Sequence, residues 1–171
     1  MPSSDQDVTR DRYTLIPRTL IFLTRGERVL LLKGAPHKRL WADRYNGVGG
    51  HIERGEDVLT SARRELAEET GLQCPGLWLC GVVTVDTGQE PGIGIYVLKG
   101  ECPTGEANPS SEGTLEWVAF AEVLEKPLVE DLYQVLPCVW LMQPGDSPFS
   151  ALYRYDEEGK MVIRFFSENI Y

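Results

Sequence analysis

The stretch Gly50–Leu72, which reads GHIERGEDVLTSARRELAEETGL, contains the clearest helix signal in this sequence. Within it, apolar residues recur at helical spacing and predict a helix over Asp57–Thr70 that buries one stripe. The residues of that stripe are Leu59, Ala62 and Leu66. Asp57 is suited to cap the N-terminus, and Gly71 is placed to end the helix in the left-handed conformation. The stretch therefore predicts a capped amphipathic helix packed on a core.

Three carboxylates share one face of this predicted helix, because Glu65, Glu68 and Glu69 stand at positions i, i+3 and i+4. In a bare helix each close pair of like charges is destabilising by a few tenths of a kcal/mol. A hard divalent cation removes that conflict, and carboxylate oxygens suit Mg²⁺. Taken alone, the three glutamates also fit a solvated acidic face, which is the commoner use of a charge run.

The whole segment resembles, position by position, the signature of the Nudix hydrolases. Its fixed positions are occupied by Gly50, Glu56, Arg64-Glu65-Leu66, Glu68-Glu69 and Gly71-Leu72. At average residue frequencies, the odds that the whole signature matches by chance at a given starting position are on the order of one in a billion. A coincidental acidic face is therefore the weaker interpretation. The resemblance implies an α/β fold, namely an α/β/α sandwich with a mixed central sheet.

The resemblance also implies a metal site that binds Mg²⁺, with Mn²⁺ as an alternative. The implied ligands are the carbonyl of Gly49 and the carboxylates of Glu65, Glu68, Glu69 and Glu112. Glu56 would lie in the outer shell, and Arg64 would orient a glutamate through a charge-assisted hydrogen bond. Glu65, which adjoins Arg64, is the first candidate for the general base. Family members differ in this assignment, so Glu68 and Glu112 are also candidate catalytic residues.

Outside the signature segment, the chain resembles the MutT-type subgroup that hydrolyses nucleoside triphosphates, especially the branch that acts on oxidised purines. Asn46 matches an asparagine that binds the base, and Glu130-Asp131 matches an acidic pair that reads a purine edge. Phe149–Phe166 resembles the closing hairpin of that branch, and Lys33 is a candidate phosphate contact. His51 is a departure, because the animal branch has a lysine there. A turn role for Asn46, helix capping by Glu130-Asp131 and a solvated position for Lys33 stay open.

The resemblance implies Mg²⁺-dependent hydrolysis of a (deoxy)nucleoside triphosphate, such as 8-oxo-dGTP, to a monophosphate and pyrophosphate. One alternative is a diphosphatase for ADP-ribose or a sugar nucleotide. Such relatives often carry a proline about one strand after the signature, and Pro91 lies near that place but not at it. The other alternative is a Nudix module that senses nucleotides without catalysis. Such modules commonly lose signature glutamates, and none is lost here.

Composition favours a small ligand over a nucleic acid polymer. The 171 residues include 26 acidic and 17 basic ones, which gives a formal net charge of −9 that would repel DNA or RNA. No apolar stretch resembles a signal peptide or a transmembrane helix, so we expect a cytoplasmic protein without a membrane partner. A homodimer stays open, since dimers occur in the family. Reduced, semi-buried thiols are expected for Cys74, Cys80, Cys102 and Cys138.

The remaining pattern predicts a loose tail at residues 1–12 and a single domain at residues 13–171. A second helix is predicted at Glu130–Met142, with Pro137 marking its start or a kink rather than its middle. Ala121–Leu124 is predicted to form one helical turn. The predicted strands are Arg18–Thr24, Arg28–Lys33, a short one near Val48, Leu77–Asp86, Gly92–Lys99, Glu116–Phe120, Ser150–Asp156 and Lys160–Ser167. Core packing is expected to be commoner than base stacking for Trp41, Trp78, Trp117 and Trp140.

Overall fold

The computed structural model describes residues 12–108 and 112–166, which form eight strands, two α-helices and one 3₁₀ helix. The strands are β1 (Leu15–Arg25), β2 (Arg28–Gly34), β3 (Tyr45–Asn46), β4 (Trp78–Val85), β5 (Gly92–Glu101), β6 (Gly113–Ala119), β7 (Phe149–Tyr155) and β8 (Met161–Phe166). The helices are α1 (Val58–Thr70), α2 (Leu132–Leu141) and the 3₁₀ helix Phe120–Glu125. The predicted tail lies outside the described residues except for Arg12, and so does Ser167 of the last predicted strand. Val48 forms an isolated bridge with Ile21 instead of a strand, and β3 lies just before it.

The strands form one mixed hydrogen-bonded network in the order β3-β2-β1-β5-β4-β7-β8, with β6 paired to β2. The predicted hairpin of β1 and β2 is confirmed, but the two strands pair only beside their turn, at Thr24–Val29 and Arg25–Arg28. Beyond it, β1 runs parallel to β5, while β2 pairs with β3 and β6. The hairpin therefore opens, and a cleft can form between its two diverging arms.

β1 lies at the centre of the molecule and is buried on both faces. Successive side chains of a strand point to opposite faces, so Leu20 and Phe22 join the core under α2, whereas Ile21 and Leu23 join the core under α1. This arrangement explains why the sequence of β1 reads as a continuous apolar run. A helix on each face of a mixed sheet is the predicted α/β/α sandwich.

Helix α1 is capped as the sequence predicts. The carboxylate of Asp57 accepts hydrogen bonds from the amides of Leu59 and Thr60 at 2.9 and 3.0 Å. Gly71 ends the helix with φ of 71°, in the left-handed region. Both ends of the helix are thus fixed by local sequence.

The predicted apolar stripe of α1 is right for Ala62 and Leu66 and wrong for Leu59. Ala62 and Leu66 are fully buried, whereas Leu59 is 36% exposed. The buried positions repeat every four residues, through to Thr70, and Val58 packs against the same core where Leu59 was expected. The stripe drifts in this way because four residues slightly exceed one helical turn.

Helix α2 contains Pro137 in its interior, so the expectation that this proline would not lie in the middle is wrong. Proline removes one donor from the helical hydrogen-bond ladder. The buried residues of α2 are Leu132, Val135, Leu136 and Val139. Packing of this apolar face on the sheet outweighs the local cost of the proline.

Lys99, in β5, anchors the C-terminus of α2. Its buried ammonium donates hydrogen bonds to the carbonyls of Val139, Trp140 and Met142 at 3.1, 2.9 and 2.8 Å. The last carbonyls of a helix have no partner within the helix, and a cation there also matches the helix dipole. Lys99 is therefore a structural lysine rather than a solvated one.

We expect Lys99→Met to lower the free energy of unfolding by about 2–4 kcal/mol, because three carbonyls lose a charged donor. Urea denaturation measures this change. Lys160→Met, at an exposed lysine in the turn between β7 and β8, is the matched control and should change stability by less than about 0.5 kcal/mol. Equal effects of the two substitutions would contradict the anchoring role.

The four cysteines are unpaired, and three of them are buried, as composition predicts. Trp140 stacks on Phe120 at 4.0 Å between ring centroids, and Trp117 lies under the guanidinium of Arg25 at 4.2 Å. Trp41 differs, since it is 47% exposed. In the described parts of the chain, no helix is long and apolar enough to cross a membrane.

Candidate active site

A cavity of about 890 Å³ opens where the arms of the first hairpin diverge. Its size is in the range of small-molecule sites. One end carries carboxylates, contributed by Glu65, Glu69 and Glu112. The other end is mostly apolar, with walls formed by Val85, Ile93, Ile95, Val129, Tyr153 and Met161. The cavity thus has an acidic end and an apolar end, and Arg18, Thr19 and Leu20 of β1 also line it.

Gly49 and Gly50 shape the acidic end. Gly49 has φ of 144°, which favours glycine, and a Cβ there would collide with the Thr19 carbonyl oxygen. A Cβ on Gly50 would lie 2.5 Å from Oε1 of Glu65. The two glycines let this loop approach β1 and leave room for the Glu65 carboxylate.

The backbone around Gly49 alternates between β1 and α1. The carbonyls of Val48 and Gly50 accept hydrogen bonds from amides of β1 at 2.7 and 2.8 Å, so both face that strand. Gly49 donates its own N–H to Oε2 of Glu69 at 3.2 Å. Gly49 therefore directs its N–H to the α1 side. The assignment of its carbonyl as a metal ligand stays a prediction.

Glu69 is held close to other carboxylates. Burial raises its pKa to about 7; the hydrogen bond from Gly49 opposes this rise, and the charges of Glu65 and Glu112 add to it. A divalent cation among these groups would favour the charged form of each. The oxygen-only donor set and the mutual repulsion of these carboxylates both fit a hard divalent cation.

Arg64 is the centre of a hydrogen-bond network beside these carboxylates. Its Nε and Nη2 bind the two oxygens of Glu56 at 2.7 and 2.8 Å, and Nη1 binds Glu65 at 2.8 Å and Glu68 at 3.2 Å. Nη2 also donates to the His51 carbonyl at 3.1 Å. Arg64 lowers the pKa of Glu56 to about 2. The guanidinium therefore fixes the positions of two predicted metal ligands and ties the loop to α1.

Within residues 12–108 and 112–166, no three acidic, histidine or cysteine side chains are already gathered at a common metal point. The structure gives the reason, since each glutamate has a protein partner. Arg64 holds Glu65 and Glu68, and Lys38 forms an ion pair with Glu112. A metal would therefore bind by exchanging some of these contacts.

The predicted substrate residues divide into two groups. Asn46, Glu130 and Asp131 line the cavity, and Oδ1 of Asn46 accepts the Gly47 amide at 2.8 Å. Lys33 does not line it and instead lies 3.8 Å from Asp43. Glu68 is also absent from the lining, and its side chain is 61% exposed. The predicted roles of these residues in binding and catalysis stay predictions.

Asp131 is a buried carboxyl at the apolar end of the cavity. Burial raises its pKa, and a hydrogen bond from the Tyr153 hydroxyl offsets only part of the effect. The backbone amides of Asp131 and Leu132 also lower the pKa. The side chain makes no capping hydrogen bond at the N-terminus of α2. Asp131 thus lines the cavity without capping α2 through its side chain.

We expect Asp131→Asn to stabilise the protein at neutral pH and to leave it nearly unchanged at acidic pH. The raised pKa means that folding disfavours the carboxylate, so its cost begins above about pH 4 and is complete above the folded pKa. The amide has no such cost, so its Tm should exceed the wild-type Tm by a few degrees at pH 7. Thermal unfolding between pH 3 and pH 8 measures this difference, and a Tm gain that is independent of pH would contradict it.

Sequence reasoning missed Arg18, which lines the cavity from β1. Its Nε is buried and has no hydrogen-bond partner in the described part of the chain. A period-2 reading of β1 could have found it, because Arg18 lies on the same strand face as the core residues Leu20 and Phe22.

A helix-bound carboxylate cluster beside a mixed α/β/α sheet defines a hydrolase of the Nudix class. Residues 14–138 match the model of the NUDIX domain, and the chain therefore belongs to this family. Nudix hydrolases in general use divalent metal ions. This membership confirms the class of enzyme that the signature segment predicts.

The similarity extends to named relatives. Oxidized purine nucleoside triphosphate hydrolase of Mus musculus is 28% identical over 106 residues, which cover 61% of this chain and 67% of that protein. The protein of the same name from Danio rerio is 31% identical over 100 residues, 58% of this chain and 63% of that protein, so less than two thirds of its length is matched. A crystal structure of a MutT protein from Bacillus halodurans superposes with a TM-score of 0.75 at 25% identity, covering 88% of this chain and 97% of that one.

Proposed function

We propose that this chain hydrolyses a nucleoside triphosphate to a monophosphate and pyrophosphate, with an oxidised purine as the preferred base. The carrying observation is one cavity with the signature glutamates at one end and the buried carboxyl of Asp131 at the other. A nucleotide is the kind of ligand that has a polyanionic end and a flat, hydrogen-bonding end. The similarity to oxidized purine nucleoside triphosphate hydrolases supports the choice of base.

Mg²⁺, or Mn²⁺ in its place, would be held by the carboxylates of Glu65, Glu68, Glu69 and Glu112 and the carbonyl of Gly49. Such an ion supplies a polarised phosphoryl group and a water of lowered pKa. The protein supplies the base, for which Glu65 is the first candidate; Glu65 and Glu112 both line the cavity, whereas Glu68 does not. Arg64 binds Oε1 of Glu65, so Oε2 is the oxygen that would take the proton from the attacking water.

The apolar end would hold the base. A carboxyl can donate a hydrogen bond when protonated and accept one when charged, and the raised pKa of Asp131 brings these two states closer together. Asn46 offers an amide on the cavity wall, and Glu130 lies at its exposed side. An oxidised purine differs from the normal base in its pattern of donors and acceptors, which this polar set would read.

The test is release of pyrophosphate and of phosphate from a panel of nucleotides with Mg²⁺. The panel contains 8-oxo-dGTP, dGTP, dATP, dCTP and ADP-ribose, with EDTA as the metal-free control. Pyrophosphate from triphosphates, fastest with 8-oxo-dGTP, would support the proposal. Turnover of ADP-ribose alone would replace it with a diphosphatase, and binding of nucleotides without turnover would replace it with a sensing module.

A further inference from the structure

Arg18 is a cation that the family signature does not include and that the protein does not fully satisfy. Arg18 lines the cavity, and its Nε is buried without a hydrogen-bond partner among the described residues. A buried donor without an acceptor costs free energy, and native structures contain few such groups. A ligand in the cavity would remove this cost if the guanidinium turned toward it and donated to its acceptors.

Other basic groups near the cavity have protein partners. Arg64 binds three glutamates, and Lys38 pairs with Glu112. Lys33 lies near Asp43, and Arg44 donates to the Leu128 carbonyl at 3.0 Å. These partners fix the directions of the basic groups and reduce what each can offer to a ligand. Arg18 lines the cavity and has a buried donor without an acceptor in the described part of the chain.

The register of β1 places Arg18 between the two ends of the cavity. Its backbone forms a bridge with His51, which directly follows the glycines of the acidic end. On its other side Arg18 pairs with Ile95, which belongs to the apolar end. A nucleotide that spans the cavity would place its sugar, and the phosphate attached to that sugar, between these ends.

The charge of the cavity also calls for a cation at this point. Its acidic lining residues are Glu53, Glu65, Glu69, Glu112, Glu130 and Asp131. A metal ion at the glutamates would offset one end only, and the phosphate nearest the sugar would lie beside further carboxylates. A guanidinium suits this position because its planar donors match phosphate oxygens.

We propose that Arg18 binds the phosphate attached to the sugar, which is the phosphate retained in the monophosphate product. This inference rests on the proposed function, because it assumes a nucleotide in the cavity. It makes Arg18 a substrate-binding residue that sets affinity for the product as well as for the triphosphate. Its contact does not depend on the metal, so it can be measured without one.

The experiment measures binding of 8-oxo-dGMP and of 8-oxo-deoxyguanosine by calorimetry in EDTA, for the wild type, Arg18→Gln and Arg18→Lys. Arg18→Gln should weaken binding of the monophosphate by about 10- to 100-fold, which is the loss of one or two charged hydrogen bonds. Binding of the nucleoside should not change. Arg18→Lys keeps the charge and should recover part of the loss.

Arg28→Gln is the matched control, since Arg28 is exposed and far from Arg18. Arg28 lies opposite Arg25 in the β1–β2 hairpin, and Arg25 is seven residues, or about 23 Å, along β1 from Arg18. It removes the same charge and should leave both affinities unchanged. Arg18→Gln should keep the wild-type Tm or raise it, because it removes an unsatisfied buried donor, whereas a structural role would lower the Tm.

Equal weakening of monophosphate and nucleoside would assign Arg18 to the base and overturn the proposal, as would unchanged affinities. If the wild type hydrolyses triphosphates and Arg18→Gln binds the monophosphate normally, the inference fails and the proposed function stands. If the wild type neither hydrolyses nor binds any of these nucleotides, both fail together.

Discussion

Replacement of Glu69 by glutamine should lower kcat about a thousandfold with the fold intact. Metal assistance contributes several kcal/mol to such reactions, and each 1.36 kcal/mol is a factor of ten in rate. Glu69 is the carboxylate that burial and neighbouring charge perturb most strongly at the acidic end, and Gly49 fixes its direction. The amide keeps the size of the side chain but loses the charge that a divalent cation requires. Steady-state kinetics with the best triphosphate of the panel measures the loss.

The control for this substitution is Glu125→Gln, which removes the same charge at an exposed position that does not line the cavity. It should keep wild-type activity. Without metal, Glu69→Gln should also be more stable than the wild type, because a buried carboxylate beside Glu65 and Glu112 is removed. Added Mg²⁺ should raise the Tm of the wild type more than that of the variant. A Glu69→Gln enzyme with near-normal kcat would exclude Glu69 from the metal site.

The parts of the fold that sequence predicts well are those that depend on local rules. Helix α1 is bounded by Asp57 and Gly71, and each needs only a neighbouring backbone amide or a left-handed residue to act. The β1–β2 hairpin and the closing β7–β8 hairpin follow from alternation around short turns. These features require no knowledge of distant contacts.

The features that sequence did not predict all depend on tertiary packing. Pro137 is accepted inside α2 because that helix is packed on the sheet and Lys99 holds its end. The pairing of β2 places Lys33 near Asp43 and outside the cavity lining, and its contact with a phosphate stays a prediction. Arg18 was missed because alternation along β1 indicates only which face it occupies, whereas the pairing of β1 with β5 and with His51 shows that this face lines the cavity there.

The candidate site was predicted as a set of residue types and not as an arrangement. The signature located Glu65 and Glu69, which do meet in one cavity. It could not show that Arg64 binds Glu65 or that Lys38 forms an ion pair with Glu112. Side-chain partners depend on the angle between α1 and the neighbouring loops, which spacing along the chain does not specify.

Arg64→Lys should lower kcat about 10- to 100-fold, the usual effect of removing a residue that positions a metal ligand. A lysine keeps the charge but cannot bind Glu56 with two parallel hydrogen bonds and at the same time reach Glu65 and Glu68. KM for the nucleotide should change less than kcat, since Arg64 acts through the glutamates. Arg63→Lys is the matched control, because Arg63 is exposed and, among the described residues, donates a single hydrogen bond, to the Pro75 carbonyl at 3.3 Å.

The same substitution should change how stability depends on pH. Arg64 lowers the folded-state pKa of Glu56 to about 2, so this pair stabilises the wild type above about pH 4.5 and loses that contribution as the pH falls toward 2. In Arg64→Lys the pKa of Glu56 should return toward its ordinary value, and the acid-side loss of stability should become shallower. Glu56→Gln should have the same effect, and the double variant should add little to either single one because both remove one interaction. Additive losses in stability would show that Arg64 and Glu56 act separately, and the positioning role would then rest on Glu65 and Glu68 alone.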